Sequence, residues 1–334
     1  MATIVGGFAT SHGPMLATPP DMWTLRAGAD RKNNAHWYRG ETLAYDALLA
    51  RRVPGFAESV TPAVQQERHA RCQRALDRLA QAFHDCRPDL VIILGNDQRE
   101  VFREDLTAAF TIYTGSTVEN IPLTPAAVAR LPPGIAIAEA GHCPPEGASY
   151  PGAPDIAGQL VTALTDRHFD VATSEYLPHR DDAQEGIPHA FGYVYRRLMR
   201  DAPPPSVPIF VNVGVGLNRP RLARCLDFGH ALGAAIRALP DDLRVAVVAS
   251  GGLTHFCIDE SLDQQVLAAM ASGDEAALAA IPESFFNGNT AEIKSWYPLV
   301  AAMRDAGREM TLIDYVPCYR TEAGTGNAMG FAYW

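Results

Sequence analysis

The stretch VIILGNDQRE, residues 91–100, is a short apolar run that ends at Gly95 and is followed by five polar or charged residues. An apolar run without alternation is typical of a central strand whose two faces are both covered. In open α/β sheets, ligands collect at the carboxyl ends of the strands. The stretch therefore predicts a buried strand whose polar continuation, centred on Gln98, borders a functional site.

Similar apolar runs recur along the chain and alternate with amphipathic helical patterns. The predicted strands cover residues 3–10, 90–96, 108–114, 207–215 and 243–250, and the predicted helices cover residues 62–85, 153–166, 188–200 and 219–238. Strands alternating with helices predict an α/β fold, a layered α/β/α arrangement around a central, largely buried mixed sheet.

No linker divides the chain, so we expect one domain over residues 1–334. Residues 14–60 form a long, irregular excursion between two predicted core strands, and such excursions are often functional. Residues 261–305 are rich in helical pattern and poor in strand signals. We expect this second segment to be an appended helical unit that serves as a lid or a dimer element.

Composition narrows the class of protein. The net charge of −10 over 334 residues argues against binding to nucleic acid or to an anionic membrane surface. The six cysteines form no CxxC pair, which argues against a zinc knuckle and a disulfide framework. The first residues resemble a strand more than a signal peptide, and no apolar run reaches about 18 residues. We therefore expect a cytoplasmic protein.

Ionisable side chains follow three predicted strands. His12 follows the first, the NDQRE segment follows the second, and His255 follows the last, with acidic residues shortly after it; His189 opens a predicted helix. Two histidines and a carboxylate that meet at one sheet edge are the ligands of a non-haem Fe(II) site. Each residue also has an ordinary interpretation as a loop or helix-capping residue.

Four motifs in this order resemble a known family. They are TSHGPML (10–16), ILGNDQ (93–98), PHAFGYVY (188–195) and ASGGLTHF (249–256). Together they resemble the class III extradiol ring-cleaving dioxygenases, the superfamily of the protocatechuate 4,5-dioxygenase β chain (LigB-type). The C-terminal segment, residues 314–334, resembles a subgroup that includes the 3-O-methylgallate dioxygenases.

The resemblance implies roles for particular residues. His12 and Glu260 correspond to iron ligands, with Asp259 as a near alternative to Glu260. His255 corresponds to the acid–base residue of the family, and His189 to the histidine beside bound substrate or O2. These assignments imply Fe(II) as the cofactor.

Gln98 departs from the family pattern, because many members carry a histidine ligand at this position. Three interpretations are open. Gln98 binds the metal directly, a neighbouring residue such as His36 or Glu100 replaces it, or the metal is absent and the protein is a catalytically inert LigB-like protein that binds a metal or another ligand. The retention of the other motif residues favours a metal site.

The implied reaction is the opening of a catechol ring by O2 beside the two hydroxyl groups. Family substrates carry a carboxylate, as in protocatechuate, gallate or 3-O-methylgallate, and arginine suits a carboxylate because its guanidinium binds both oxygens. Arg99, Arg180 and Arg320 are the arginines we consider for this role. We expect a homodimer, with a small separate α chain, as some relatives have, as the alternative.

Overall fold

The computed structural model describes residues 1–132, 134–178, 186–214, 216–240 and 242–334. The strands are β1 (Thr3–Thr10), β2 (His36–Tyr38), β3 (Glu41–Leu43), β4 (Leu90–Gly95), β5 (Phe110–Tyr113), β6 (Thr117–Asn120), β7 (Ala148–Pro151), β8 (Ala172–Ser174), β9 (Ser206–Val211), β10 (Arg244–Ser250), β11 (His255–Cys257), β12 (Thr311–Tyr319) and β13 (Thr325–Tyr333).

The α-helices are α1 (Thr24–Lys32), α2 (Tyr45–Arg51), α3 (Pro62–Asp85), α4 (Pro125–Val128), α5 (Pro154–Thr165), α6 (His189–Tyr193), α7 (Leu222–Ala238), α8 (Glu260–Ser272), α9 (Glu275–Ala280) and α10 (Trp296–Asp305). A π-helical turn, Val194–Leu198, continues α6. The 3₁₀ helices include Ala136–Gly141 and Gly288–Ser295. Within the described ranges, no helix has both the length and the apolar character needed to cross a bilayer.

The main sheet of the described residues has nine strands in the order β11-β13-β1-β10-β4-β9-β5-β8, with β12 paired to β13. The central pairs β1–β10, β10–β4 and β4–β9 are parallel, whereas β13 runs antiparallel to β1 and β5 antiparallel to β9. The predicted mixed sheet is therefore confirmed. Because β1, β4 and β10 are parallel, their carboxyl ends lie at one edge.

Both faces of the sheet are covered, which explains the continuous apolar runs. Along β4, Val91 and Ile93 belong to the core shared with α3, while Ile92 and Leu94 belong to the core shared with α7. All four side chains are fully buried. The layered α/β/α prediction is confirmed, with α3 on one face and α7 on the other.

The segment predicted as a lid or dimer element contributes a core layer. Helix α10 packs along α7, and Trp296, Tyr297 and Leu299 are fully buried. The two helices approach closely at Gly229, where a Cβ atom would lie 2.3 Å from the Pro298 carbonyl oxygen. This packing fixes the 3₁₀ helix that precedes α10 beneath the sheet edge.

The excursion over residues 14–60 folds back on the C-terminal hairpin. Asp30 on α1 forms a buried ion pair with Arg320, whose Nε lies 2.9 Å from Asp30 Oδ2. Thr325 donates a second hydrogen bond to the same oxygen at 2.7 Å. A buried carboxylate needs such partners, so α1 is held against β13.

Candidate active site

A cavity of about 440 Å³ opens at the carboxyl edge of the sheet. His12 enters it from the end of β1, Gln98 and Glu100 from the loop after β4, and His255 from the turn after β10. Glu292, on the 3₁₀ helix before α10, also lines it. The strand-end residues that the sequence singled out thus meet in one cavity.

His12 is held in one protonation pattern by Ser250. The Ser250 hydroxyl donates to the Ala190 carbonyl oxygen at 2.6 Å and lies 2.9 Å from His12 Nδ1. A carbonyl oxygen only accepts, so the single hydroxyl proton is committed and the serine oxygen must accept from His12 Nδ1–H. In the neutral ring, Nε2 therefore carries a lone pair. Burial lowers the pKa of His12, which favours that neutral ring.

Glu292 is the buried carboxylate at the centre of the site. Its Oε2 lies 3.2 Å from His12 Nε2, its Oε1 lies 3.3 Å from His255 Nε2, and it accepts a 3.1 Å hydrogen bond from the Gly252 N–H. Burial alone raises the pKa of Glu292, but the attraction of His255, the largest opposing contact, holds that pKa well below its ordinary value. Glu292 is therefore an anion at neutral pH.

His255 is also fixed at one ring nitrogen. Its Nδ1 lies 2.7 Å from the Leu253 carbonyl oxygen, so Nδ1 donates and Nε2 faces Glu292. Burial lowers the pKa of His255, but the attraction of Glu292 outweighs burial and places the pKa above its ordinary value. The two histidines thus differ in charge preference although both face one carboxylate.

The double glycine after β10 permits this crowding. A Cβ atom at Gly251 would lie 2.4 Å from the Glu292 carbonyl oxygen, and one at Gly252 would lie 2.2 Å from the His255 ring. Both distances are far below any ordinary carbon contact. Glycine at both positions lets the turn, the imidazole and the Glu292 backbone occupy the same small volume.

Gln98 contacts the central carboxylate rather than standing apart from it. Its Nε2 donates to Glu292 Oε1, and its Oε1 accepts from Asn289 Nδ2 at 3.1 Å. The oxygen and nitrogen of an amide are interchangeable in position when the side chain rotates by a half turn. Gln98 can therefore present either a donor or a neutral oxygen ligand to the space beside Glu292.

His189 and Glu100 form a second ion pair beside His12. The His189 backbone N–H donates to Glu100 Oε2 at 3.0 Å, and His189 Nδ1 lies 2.6 Å from Glu100 Oε1. Burial alone lowers the pKa of His189, but Glu100 reverses this and raises it to about 9. The His189 ring is 4.8 Å from that of His12, centre to centre.

Two cavity residues were missed by sequence reasoning. Glu292 lies in a mixed polar and apolar segment, GNTAEIKSW (288–296), which has no motif that marks an acidic site residue. His142 lies in a segment rich in proline and glycine and has no motif around it; its ring is 5.8 Å from that of His189. Burial, aided by the charge of His189, lowers the pKa of His142 to about 3, so this ring is neutral.

The structure does not bring Glu260, Asp259 or His36 to the cavity lining. Glu260 begins α8, and its Oε1 accepts a 2.5 Å hydrogen bond from Tyr319. Asp259 caps the same helix and pairs with Arg39. His36 Nε2 lies 2.8 Å from the Asp30 carbonyl oxygen, so that nitrogen donates. Glu292, and not Glu260, is the carboxylate that faces His12.

The three arginines considered for a substrate carboxylate lie in different places. Arg99 lines the cavity and pairs with Glu104 at 2.7 Å. Arg320 is bound internally to Asp30. Arg180 lies outside the described residues. Arg103 and Arg130 also line the cavity.

The donor atoms fit a bound cation. Neutral His12 Nε2 is buried with no hydrogen-bond partner, and it faces a carboxylate oxygen that is also only an acceptor. Because these two atoms lie 3.2 Å apart, both could bind one ion. Within the described ranges, no group of three or more His, Cys, Asp or Glu side chains is arranged to hold a metal. A set of metal ligands completed by the Gln98 amide falls outside that description, because glutamine is not one of those four residue types.

Comparison with known proteins adds a family match. Residues 52–324 match the family described as the catalytic LigB subunit of aromatic ring-opening dioxygenase. The chain is 29% identical over 184 residues to a 2,3-dihydroxyphenylpropionate/2,3-dihydroxicinnamic acid 1,2-dioxygenase of Comamonas testosteroni, a match that covers 54% of this chain and 48% of the relative. A protein of the same name from Mycobacterium ulcerans (strain Agy99) is 33% identical over 101 residues, or 30% of this chain and 29% of that relative. The matches thus span about half or less of the relatives' length.

Proposed function

Since the chain belongs to the LigB family of aromatic ring-opening dioxygenases, we propose that it is a non-haem Fe(II) extradiol dioxygenase that opens the ring of a carboxylated catechol with O2. The observation that carries the proposal is the pairing of buried, neutral His12 Nε2 with the Glu292 carboxylate at 3.2 Å. A buried lone pair that faces a carboxylate oxygen is stabilised when both bind one cation.

We propose that His12, Glu292 and Gln98 hold the metal, with Gln98 turned so that its oxygen faces Glu292. When bound, ferrous iron supplies Lewis acidity toward a catechol and redox chemistry toward O2. A neutral amide is a weaker ligand than an imidazole, so the single anionic charge of Glu292 carries more of the binding. Glu292 replaces Glu260 in the ligand set proposed from sequence, because only Glu292 faces His12.

His255 is proposed as the acid–base residue. Its Nδ1–H is committed to the Leu253 carbonyl oxygen, so Nε2 is the ring atom that holds or moves a proton. Nε2 faces the cavity beside Glu292. Once Nε2 has lost its own proton, it can take one from a catechol hydroxyl group and return it to the opened product.

His189 is proposed to orient a reactant oxygen. Glu100 receives both the backbone N–H and the Nδ1 contact of this residue, which fixes the ring. The remaining ring nitrogen, Nε2, is then available to donate a hydrogen bond within the cavity. A fixed ring places that donor without the entropic cost of ordering it during the reaction.

A carboxylate on the substrate is proposed because arginines line the cavity. Arg99, Arg103 and Arg130 are all lining residues, and the names of the curated relatives describe dioxygenases acting on acids. Guanidinium groups suit carboxylates because both oxygens can be bound at once.

Ring cleavage tests the function directly. Purified protein, loaded anaerobically with Fe(II), is exposed to O2 with catechol, protocatechuate, gallate and 3-O-methylgallate, and the ring-opened product is followed by its visible absorbance together with O2 uptake. We expect product formation, and we expect Glu292→Gln to abolish it. No product from any member of the panel or from catechols with an alkyl substituent would refute the enzymatic function.

A second candidate, a catalytically inert LigB-like protein that binds a metal or a ligand, is favoured by one observation: Gln98 uses its amide donor on Glu292. Metal binding without ring opening in the same assay would support this candidate instead.

We also propose a self-contained homodimer in a reducing, cytoplasmic setting. All six cysteines are free thiols, as expected in a reducing compartment. Light scattering on a sizing column tests the dimer, and a monomer would contradict it.

A further inference from the structure

An apolar wall forms part of the cavity and is separate from the hydrophobic cores. Its side chains belong to Leu123, Ala127, Leu131, Ile135 and Ala138. Among the described residues, these five are absent from all three buried apolar clusters, although Ala127 and Ala138 are buried and the other three are half-buried. Apolar side chains that face a cavity and have no core to pack on gain stability from an apolar ligand.

The wall is held in place by polar contacts at the base of its segment. The Leu123 N–H donates to Glu139 Oε1 at 2.5 Å, and Asn120 Nδ2 donates to the His142 carbonyl oxygen at 2.8 Å. Thr124 caps the short helix α4 by accepting from the Ala127 N–H at 3.2 Å. These bonds join the two ends of the segment, so the wall is preformed.

The cavity is larger than a catechol ring requires. A bare benzenediol has about eight non-hydrogen atoms and fills at most about 240 Å³ if each atom takes a water's share of about 30 Å³. The cavity of about 440 Å³ therefore has room for a substituent beside the ring.

From this wall and this volume we infer that the substrate is a catechol with an apolar substituent, and that the wall binds this substituent. The inference rests on the proposed function for the catechol and deepens it by naming the substituent. A small, fully polar ring such as protocatechuate would leave the wall uncovered. A hydrocarbon chain or a second ring would cover it.

A series of catechols with alkyl chains of increasing length tests the inference without requiring turnover. Anaerobic, iron-loaded protein is titrated by calorimetry with catechol and with its 3-alkyl and 4-alkyl derivatives from methyl to octyl. We expect the affinity in one of the two series to rise by about fourfold for each carbon buried. The rise should end once further carbons extend beyond the wall.

Variants of Leu131 locate the binding wall. Leu131→Trp fills the cavity and should reduce the affinity ratio of hexylcatechol to catechol by about tenfold or more. Leu312→Trp, at a leucine that is 40% exposed on β12 and outside the cavity lining, is the matched control and should leave the ratio unchanged. If Leu131→Trp does not fold, Leu131→Ser provides the same test by making the wall polar.

The possible outcomes separate the two proposals. If the protein opens catechol rings but its affinity does not rise with alkyl chain length, the apolar substituent is overturned and the dioxygenase function stands. If the affinity rises with alkyl chain length and depends on Leu131, but no ring is opened, the enzymatic function is overturned and the apolar subsite is supported. Failure to bind any catechol overturns both.

Discussion

Replacing Ser250 by alanine tests whether His12 is prepared as a ligand by its neighbour. The Ser250 oxygen accepts from His12 Nδ1 and donates to the Ala190 carbonyl oxygen, at 2.9 and 2.6 Å. The side chain is fully buried, so water cannot take over these bonds. Ser250→Ala therefore leaves one donor and one acceptor without partners and frees the His12 ring to carry its proton on Nε2.

The magnitudes follow from these two losses. A buried polar group left without a partner costs about 1–3 kcal/mol, so two groups should lower the free energy of unfolding by about 2–6 kcal/mol. Removing the partner that orients a ligating histidine typically weakens metal binding by about 10–100-fold. We expect both effects in the Ser250→Ala protein.

Ser206→Ala is a matched control for the loss of stability. Ser206 is buried on β9, and its hydroxyl bonds to the Tyr195 hydroxyl at 2.7 Å and to the Pro151 carbonyl oxygen at 3.4 Å. Stability is measured by urea unfolding and Fe(II) affinity by anaerobic competition with a coloured chelator. Both variants should lose stability, and only Ser250→Ala should lose affinity. Equal Fe(II) affinity in the two variants would refute the orienting role of Ser250.

Two further changes test the ionisable groups. Glu100→Gln removes the anion that fixes His189. We expect kcat/KM for ring opening to fall by about 10–100-fold, which corresponds to the loss of one buried charged hydrogen bond, and the Fe(II) content to stay unchanged. Wild-type kinetics in this variant would contradict the role of Glu100. Burial raises the pKa of Asp263 to about 7 from 3.8, so the folded state favours the protonated carboxyl group. The stabilisation of the fold by this group is full below pH about 4 and is lost as pH rises through about 7. Across that pH range, the free energy of unfolding of the wild type, measured with urea, should fall by up to about 4 kcal/mol relative to that of Asp263→Asn. Parallel curves of stability against pH for the two proteins would contradict this prediction.

The elements that local pattern determines were predicted closely. The helix predicted over residues 62–85 forms as Pro62–Asp85, because proline suits its first turn and one apolar stripe faces the sheet. The strand predicted over residues 3–10 forms as Thr3–Thr10. In both cases the information lies in neighbouring residues. The predicted helix over residues 188–200 divides into α6 and a π-helical turn, a change of hydrogen bonding that side-chain periodicity does not encode.

The central carboxylate depends on distant packing and was not found from sequence. Glu260 follows the GGLTHF segment closely, which made it the nearer choice, but it begins an exposed helical turn and binds Tyr319. Glu292 reaches the cavity only because α10 packs against α7 and fixes the preceding 3₁₀ helix. Sequence proximity to a motif is therefore a poor guide when a cavity carboxylate comes from another layer of the fold.

Gln98 shows a further limit of reading a site residue by residue. Its position after β4 was predicted, and the structure places it in the cavity. Its partners, Glu292 and Asn289, come from a segment almost 200 positions away in the chain, with separations of 194 and 191 residues. Whether an amide acts as ligand or donor depends on such partners, and the strand-end pattern contains no information about them.

The Fe(II) affinity of Glu292→Gln, compared with that of Glu260→Gln, tests the proposed metal site most directly. Both substitutions remove one carboxylate charge and keep nearly the same side-chain volume. Glu292→Gln should weaken Fe(II) binding by about 100-fold or more, beyond the usual effect of a residue outside the ligand set, while Glu260→Gln should retain about one Fe(II) per chain. Loss of iron in Glu260→Gln together with full iron binding in Glu292→Gln would contradict the proposed metal site.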